Sequence, residues 1–178
     1  VTGMGTKEAD FVENMLITTT HHTILFFTNR GRVYHLKAYE IAESSRQAKG
    51  TAIINLLPIE NDEKITAVIP IKHFKPERFL FMATKKGIVK KTTLTDFDTA
   101  RKGGLIAITL DEDDELIGVK KTNGERMVIL GTRDGLSIAF AESDVRAMGR
   151  VARGVRGIRL SGDDVVIGMD NLKRDAEV

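Results

Sequence analysis

Cysteine and tryptophan are absent from the 178 residues, and only two tyrosines and three prolines occur. Without cysteine there can be no disulfide and no thiolate metal site, which fits a reducing compartment. The few aromatics sit inside apolar runs, so they offer little for stacking on bases. Scarce proline and the lack of a low-complexity tract leave no linker to divide the chain. No apolar run is long enough to cross a bilayer, and no amino-terminal signal pattern is visible. A soluble, cytoplasmic protein without membrane contacts is therefore expected. An excess of one charge is missing too. The net charge is +2, so only the distribution of charge can point to a partner. There is no phosphate loop and no dinucleotide fingerprint. His21 and His22 are adjacent, while His35 and His73 stand alone, so no shared metal is expected. The acidic group Asp111 to Glu115 lacks the spacing and central glycine of an EF-hand and reads as a solvated turn.

What is present is a repeat. Strand signals rich in β-branched and aromatic residues occur at TILFFT (Thr23), FLFMAT (Phe79) and MVILG (Met127). Each is followed by a T-x-x-G turn, ending at Gly31, Gly87 and Gly135, and then by a second apolar strand. Glycine at the end suits the positive φ of a tight hairpin. Acidic turns at Asp62-Glu63, Asp113-Asp114 and Asp163-Asp164 each lead into an apolar strand. A third element joins a basic residue, glycine and a run ending in leucine. Its steps are Lys49-Gly50, Lys102-Gly103 and Arg153-Gly154, which lie 53 and 51 residues apart. Self-similarity at this period predicts an all-β, propeller-like array of four-stranded antiparallel blades. Approximate repeats cover 10–57, 62–110 and 113–160, with 1–9 and 163–178 as parts of adjacent blades. The whole of 1–178 is then one domain fragment, incomplete, of about three blades plus flanking strands. A β-sandwich with chance similarities is the plainer alternative.

The basic-glycine turns are the candidate site. Arg150, Arg153, Arg156 and Arg159 step by three, which suits a turn feeding a strand better than a strand of period two. Glycine lets backbone amides approach a phosphate, and neighbouring cations neutralise it. The candidate DNA-binding set is Arg46, Lys49, Arg101, Lys102, Arg150, Arg153 and Arg156 on these turns. Arg30, Arg32, Lys85, Lys86 and Arg133 join it from the T-x-x-G turns, with Lys90 and Lys91 extending the second. A single short charge run is usually a solvated turn; recurrence at matching positions favours a phosphate track. Acidic and basic turns are expected to lie on separate parts of the surface, giving a basic rim despite the low net charge. No catalytic residue is expected. Tyr34 reads as a packed strand residue and Tyr39 as a rim or packing residue.

Five stretches, VTGMGTKEADFVENML, FFTNRGRVYHLKAYEI, FMATKKGIVKKTTLTDF, RKGGLIAITL and SDVRAMGRVARGVRGIRL, resemble the carboxyl-terminal domain of the bacterial DNA gyrase A protein. The resemblance runs over essentially the whole chain. It implies a β-pinwheel, a relative of the propeller in which hairpins are exchanged between blades. The implied role is binding and bending duplex DNA on a basic outer rim for a type II topoisomerase, supporting ATP-dependent negative supercoiling. The implied partners are duplex DNA, the remainder of the gyrase A protein, and the gyrase B protein in a heterotetramer. This piece would need no cofactor of its own, since ATP and Mg serve other parts of the holoenzyme, and the cleavage tyrosine lies elsewhere. The family's Q-R-R-G-G-K-G box would precede Val1, so the chain is expected to be a piece of a longer array. The equivalent domain of topoisomerase IV and a propeller used as a protein-interaction platform remain alternatives.

Overall fold

The computed structural model describes residues 22–47, 56–99 and 104–173. Among these residues, eleven strands make three antiparallel sheets. In chain order they are β1 (Thr23–Thr28), β2 (Arg32–Lys37), β3 (Ile65–Ile71), β4 (Phe79–Thr84), β5 (Ile88–Thr93), β6 (Leu105–Ile106), β7 (Leu116–Thr122), β8 (Arg126–Thr132), β9 (Ser137–Ala141), β10 (Val155–Arg156) and β11 (Val166–Lys173). The sheets run β3-β1-β2-β6, β7-β4-β5-β10 and β11-β8-β9. Each is built on one T-x-x-G hairpin.

Sheet membership does not follow the repeats as the sequence displays them. The strand after each acidic turn pairs with the hairpin before it, as β3 does with β1 and β11 with β8. The short basic-glycine strand reaches further back. β6 follows the second hairpin in sequence but pairs with β2 of the first sheet, and β10 follows the third hairpin but pairs with β5 of the second. Neighbouring sheets are thus laced together by exchanged strands. β7 packs against both β3 and β11, so these three strands form the inner side of the array. β6 and β10 form the outer edges of their sheets.

Burial on both faces explains why the strands read as unbroken apolar runs. All six residues of β1 are buried. Leu25 and Phe27 face one core with Leu80 and Met82 of the second sheet. Ile24 and Phe26 face the other side, with Tyr34, Leu36 and Leu57. Phe81 and Ala83 of β4 turn to the third sheet and meet Val128, Leu130 and Val166. Period two along a strand therefore distributes each hairpin between two interfaces. Burial of such a side chain stabilises by roughly 1.5–3 kcal/mol.

The segment after β2 forms helix α1 (Ala38–Gln47), which turns Ala38 and Ile41 onto the first sheet. The last residues of β11 are polar yet paired: Asn171 lies opposite Val128 and Lys173 opposite Arg126. In the third sheet β9 is the outer strand among the described residues. Leu136, just before it, and Ile138 on it are 49% and 36% exposed.

Candidate nucleic-acid interface

The three T-x-x-G turns are equivalent. Gly31, Gly87 and Gly135 have φ of 76°, 94° and 92°. Each glycine amide donates to the turn's threonine carbonyl at 3.0–3.1 Å. A residue with a Cβ rarely adopts this conformation, which accounts for glycine there. An acid from the following acidic turn braces each hairpin from below. Thr28 Oγ1 donates to Glu63 Oε2 at 2.6 Å, and the Tyr34 hydroxyl donates to Oε1 at 2.8 Å. Asp114 Oδ1 accepts from the amides of Lys86 and Glu115 at 2.9 and 2.8 Å. Asp164 Oδ1 accepts from the amides of Asp134 and Val165 at 3.0 and 2.8 Å. All three acids are buried. Burial pushes the Asp164 carboxyl up, but hydrogen bonds from Thr132, Asp134 and Val165 and the charge of Arg133 outweigh it, so its pKa is lowered.

The acidic turn Asp111 to Glu115 is therefore not wholly solvated, contrary to expectation, and the other two are built alike: one acid in each is a structural plug. The other acids stay outside and meet the basic residues of the adjoining hairpin. Arg30 pairs with Asp62, and Arg32 with Glu60 at 3.5 Å. Arg133 pairs with Asp163 at 3.4 Å, and the Lys86 ammonium donates to the Glu112 carbonyl at 2.8 Å. The expected segregation of acidic from basic turns does not hold, because pairing of β3, β7 and β11 with the preceding hairpins sets each acidic turn beside a T-x-x-G turn. Arg30, Arg32 and Arg133 are thus partly neutralised in place, while Lys86 is tied down by a backbone carbonyl and keeps its charge. Lys85 is exposed, with no ion-pair partner among the described residues.

The arginine turn is different. Residues 149–153 turn back, and β10 then lies along the outer edge of the second sheet. Gly154, at φ 99°, and Gly157 are set tightly against β5: a Cβ on either would lie 2.5 Å from Val89, at its carbonyl oxygen or its side chain. Glycine here serves packing, and the three-residue step of the arginines follows from alternating these inward glycines with outward cations. Arg153, Arg156 and Arg159 are exposed, and Arg150 is half-buried. Arg146, four residues earlier, is exposed as well. It belongs with this series; the signal for it is its place in the same stretch. Arg153 makes a two-point ion pair with Asp111, Nε to Oδ1 at 2.5 Å and an Nη to Oδ2 at 2.6 Å. This partner is 42 residues away, and nothing in the sequence points to it. Arg156 and Arg159 have no ion-pair partner among the described residues.

Lys90 and Lys91 do not belong to the accessible set. Lys90 is fully buried and Lys91 is 7% exposed. Consecutive positions on a strand face opposite sides, and both sides of β5 are covered. The Lys91 ammonium donates to the Glu142 carbonyl at 3.1 Å and lies over the Phe79 ring. Lys49, Arg101 and Lys102 lie outside the described residues, as does the side chain of Arg46. Tyr34 is buried and Tyr39 is 46% exposed. Among the described residues no group of acids and histidines is placed to hold a metal ion, and no helix is long and apolar enough to cross a membrane.

A family model described as the DNA gyrase C-terminal domain, β-propeller, matches residues 22–72, 78–123 and 126–173. Each matched segment starts at or just before a T-x-x-G hairpin and ends with the inner strand that pairs with it. The DNA gyrase A protein of Halalkalibacterium halodurans is 58% identical over 158 residues, covering 89% of this chain. Its counterpart from Clostridium acetobutylicum is 56% identical over 88% of the chain. This chain spans about a fifth of the length of those relatives, 19% of each. Among solved structures, the C-terminal domain of DNA topoisomerase IV superposes with a TM-score of 0.79 at 30% identity, over 88% of this chain and 49% of that one. A DNA gyrase A C-terminal domain superposes with a TM-score of 0.70 at 26% identity, over 88% of this chain and 50% of the other. With its three hairpin sheets matched in order by the family model, the chain belongs to the family of DNA gyrase C-terminal β-propeller domains.

Proposed function

We propose that this chain binds duplex DNA along the outer edge of its sheets and bends it, on behalf of a DNA gyrase that introduces negative supercoils. The observation that carries this is the arginine series from Arg146 to Arg159, displayed on and around the outermost strand β10 while its glycines are turned inward. Guanidinium groups on an exposed edge suit phosphate recognition. Only weak sequence preference is expected, since contacts to phosphates position the duplex without reading its bases. The chain would contribute no catalytic residue and no cofactor site. Cleavage and ATP hydrolysis would belong to other parts of the gyrase A protein and to the gyrase B protein, in complex with which this domain would act. The close sequence match to the gyrase A protein favours that enzyme over topoisomerase IV. The test is a salt titration of binding to two unrelated duplexes. Affinity should fall with salt at about 0.9 log units per phosphate neutralised. Arg156→Ala should flatten the slope by about 0.9, equally on both duplexes. Salt-independent binding, or an unchanged slope in a folded variant, would remove DNA from this edge.

A further inference from the structure

Lys90 is a lysine with no access to solvent, yet its ammonium is engaged. It donates to the carbonyl of Ala107 at 2.6 Å and to the carbonyl of Arg150. Ala107 directly follows β6, the strand given to the first sheet. Arg150 opens the arginine turn. Lys90 itself sits on β5 of the second sheet, and its Cβ lies against Gly154. One side chain therefore ties the arginine turn to two sheets. The same turn is also held by Thr109, whose Oγ1 donates to the Val151 carbonyl at 2.6 Å, and by Asp111 through Arg153. Of these supports only Lys90 carries a charge of the same sign as the rim.

We propose that Lys90 is a buried positioning residue for the DNA-binding edge, fixing Arg150 to Arg156, and that DNA binding is coupled to the protonation of its ammonium. This rests on the DNA reading above. The charged groups acting on Lys90 are Arg150 of the turn, which disfavours its cation, and Asp96 of the 3-10 turn after β5, which favours it. Burial, with Arg150 adding to it, lowers its pKa to about 7. A phosphate paired with Arg150 would offset that repulsion with its single negative charge. Protonation then becomes easier in the complex than in the free protein. The neutral amine still has N–H groups to give both carbonyls, but a charged donor bonds them more strongly. Lys90 thus sets where the arginines stand, and its proton is taken up as they are engaged.

The direction separates this role from ordinary stabilisation. The folded pKa of Lys90 lies below its unfolded value, so the unfolded chain binds more protons between about pH 7 and 10.5. Stability therefore rises with pH through that window. DNA affinity should move the opposite way. A rise of one pKa unit on binding corresponds to about a tenfold loss of affinity once pH passes both values.

The experiment measures duplex affinity from pH 6 to 8.5 at fixed salt, for wild type and Lys90→Met, with thermal melts alongside. It is paired with NMR titration of the lysine Cε resonances of the wild type, free and bound to the duplex. Wild type should lose about three- to tenfold in affinity across this range, while its melting temperature holds or rises. Lys90→Met should bind more weakly at pH 6 and show a flatter profile. If the variant does not fold, the wild-type titration decides: the Lys90 pKa should rise when DNA is added. Salt-dependent binding with a Lys90 pKa that DNA does not move, or a variant with the wild-type affinity and pH profile, would overturn the role of Lys90 alone. Absence of salt-dependent binding at every pH would overturn the DNA reading and this inference together.

Discussion

Asp111 is the sharpest place to perturb the rim. Its carboxylate holds Arg153 through two hydrogen bonds of 2.5 and 2.6 Å. The neighbouring guanidinium, chiefly through these bonds, keeps the Asp111 pKa below the usual carboxylate range, so the pair stays formed at neutral pH. While it lasts, Arg153 cannot present both faces of its fork to a phosphate. Asp111→Ala should release it, and the turn should survive because its Asp114-to-Asp111 hydrogen bond is between backbone atoms. One additional phosphate contact adds about 0.9 to the slope of log affinity against log salt, so over a fourfold salt range it changes affinity by about 3.5-fold. The variant should therefore bind more tightly at low salt and lose its advantage as salt rises. Salt titrations in a double-mutant cycle check this. Arg153→Ala should change the slope little beside native Asp111, and should reduce it by about 0.9 once Asp111 is alanine. A slope unmoved by Asp111→Ala, or an equal effect of Arg153→Ala in both backgrounds, would refute the idea that the acid restrains the arginine.

Gly154→Ala places a Cβ 2.5 Å from the Val89 carbonyl oxygen at a φ of 99°, whereas Gly135→Ala meets nothing within 4 Å. Denaturant melts should show about 1–2 kcal/mol lost at Gly135 from backbone strain alone, and clearly more at Gly154. Asp164→Ala should lower the melting temperature. Because the folded pKa of Asp164 is below its unfolded value, its stabilisation is present above the ordinary carboxylate range and is lost as pH falls through the folded pKa. Melts at pH 7 and pH 3 should thus show the wild type and the variant converging in acid. Leu80→Ala, in the core between the first two sheets, should cost about 2–5 kcal/mol in denaturant unfolding.

Much of the fold is legible in the sequence because it is written locally. A T-x-x-G turn needs glycine at positive φ, and a strand buried on both faces needs an unbroken apolar run. Both requirements act within a few residues, so the three hairpins, the antiparallel arrangement and the roughly fifty-residue period follow from residue order alone. Tyr34 reads as a packed residue for the same reason. Helix α1 is not legible, because Ala38 to Gln47 is polar and its few apolar contacts depend on the first sheet already being in place. Strand partnership is not legible either. Nothing within Leu105–Ile106 or Val155–Arg156 states that each pairs with the hairpin of the preceding sheet; that choice is made by packing between segments far apart in sequence. The charges depend on it most. By itself the chain determined that arginines recur beside glycines. Only the tertiary structure decided that Lys90 and Lys91 are inside, that Glu63, Asp114 and Asp164 brace turns, and that Asp111 reaches Arg153. Whether a charged side chain meets water, a carbonyl or an opposite charge depends on which elements are brought against it, and strand exchange brings together elements that are distant in sequence.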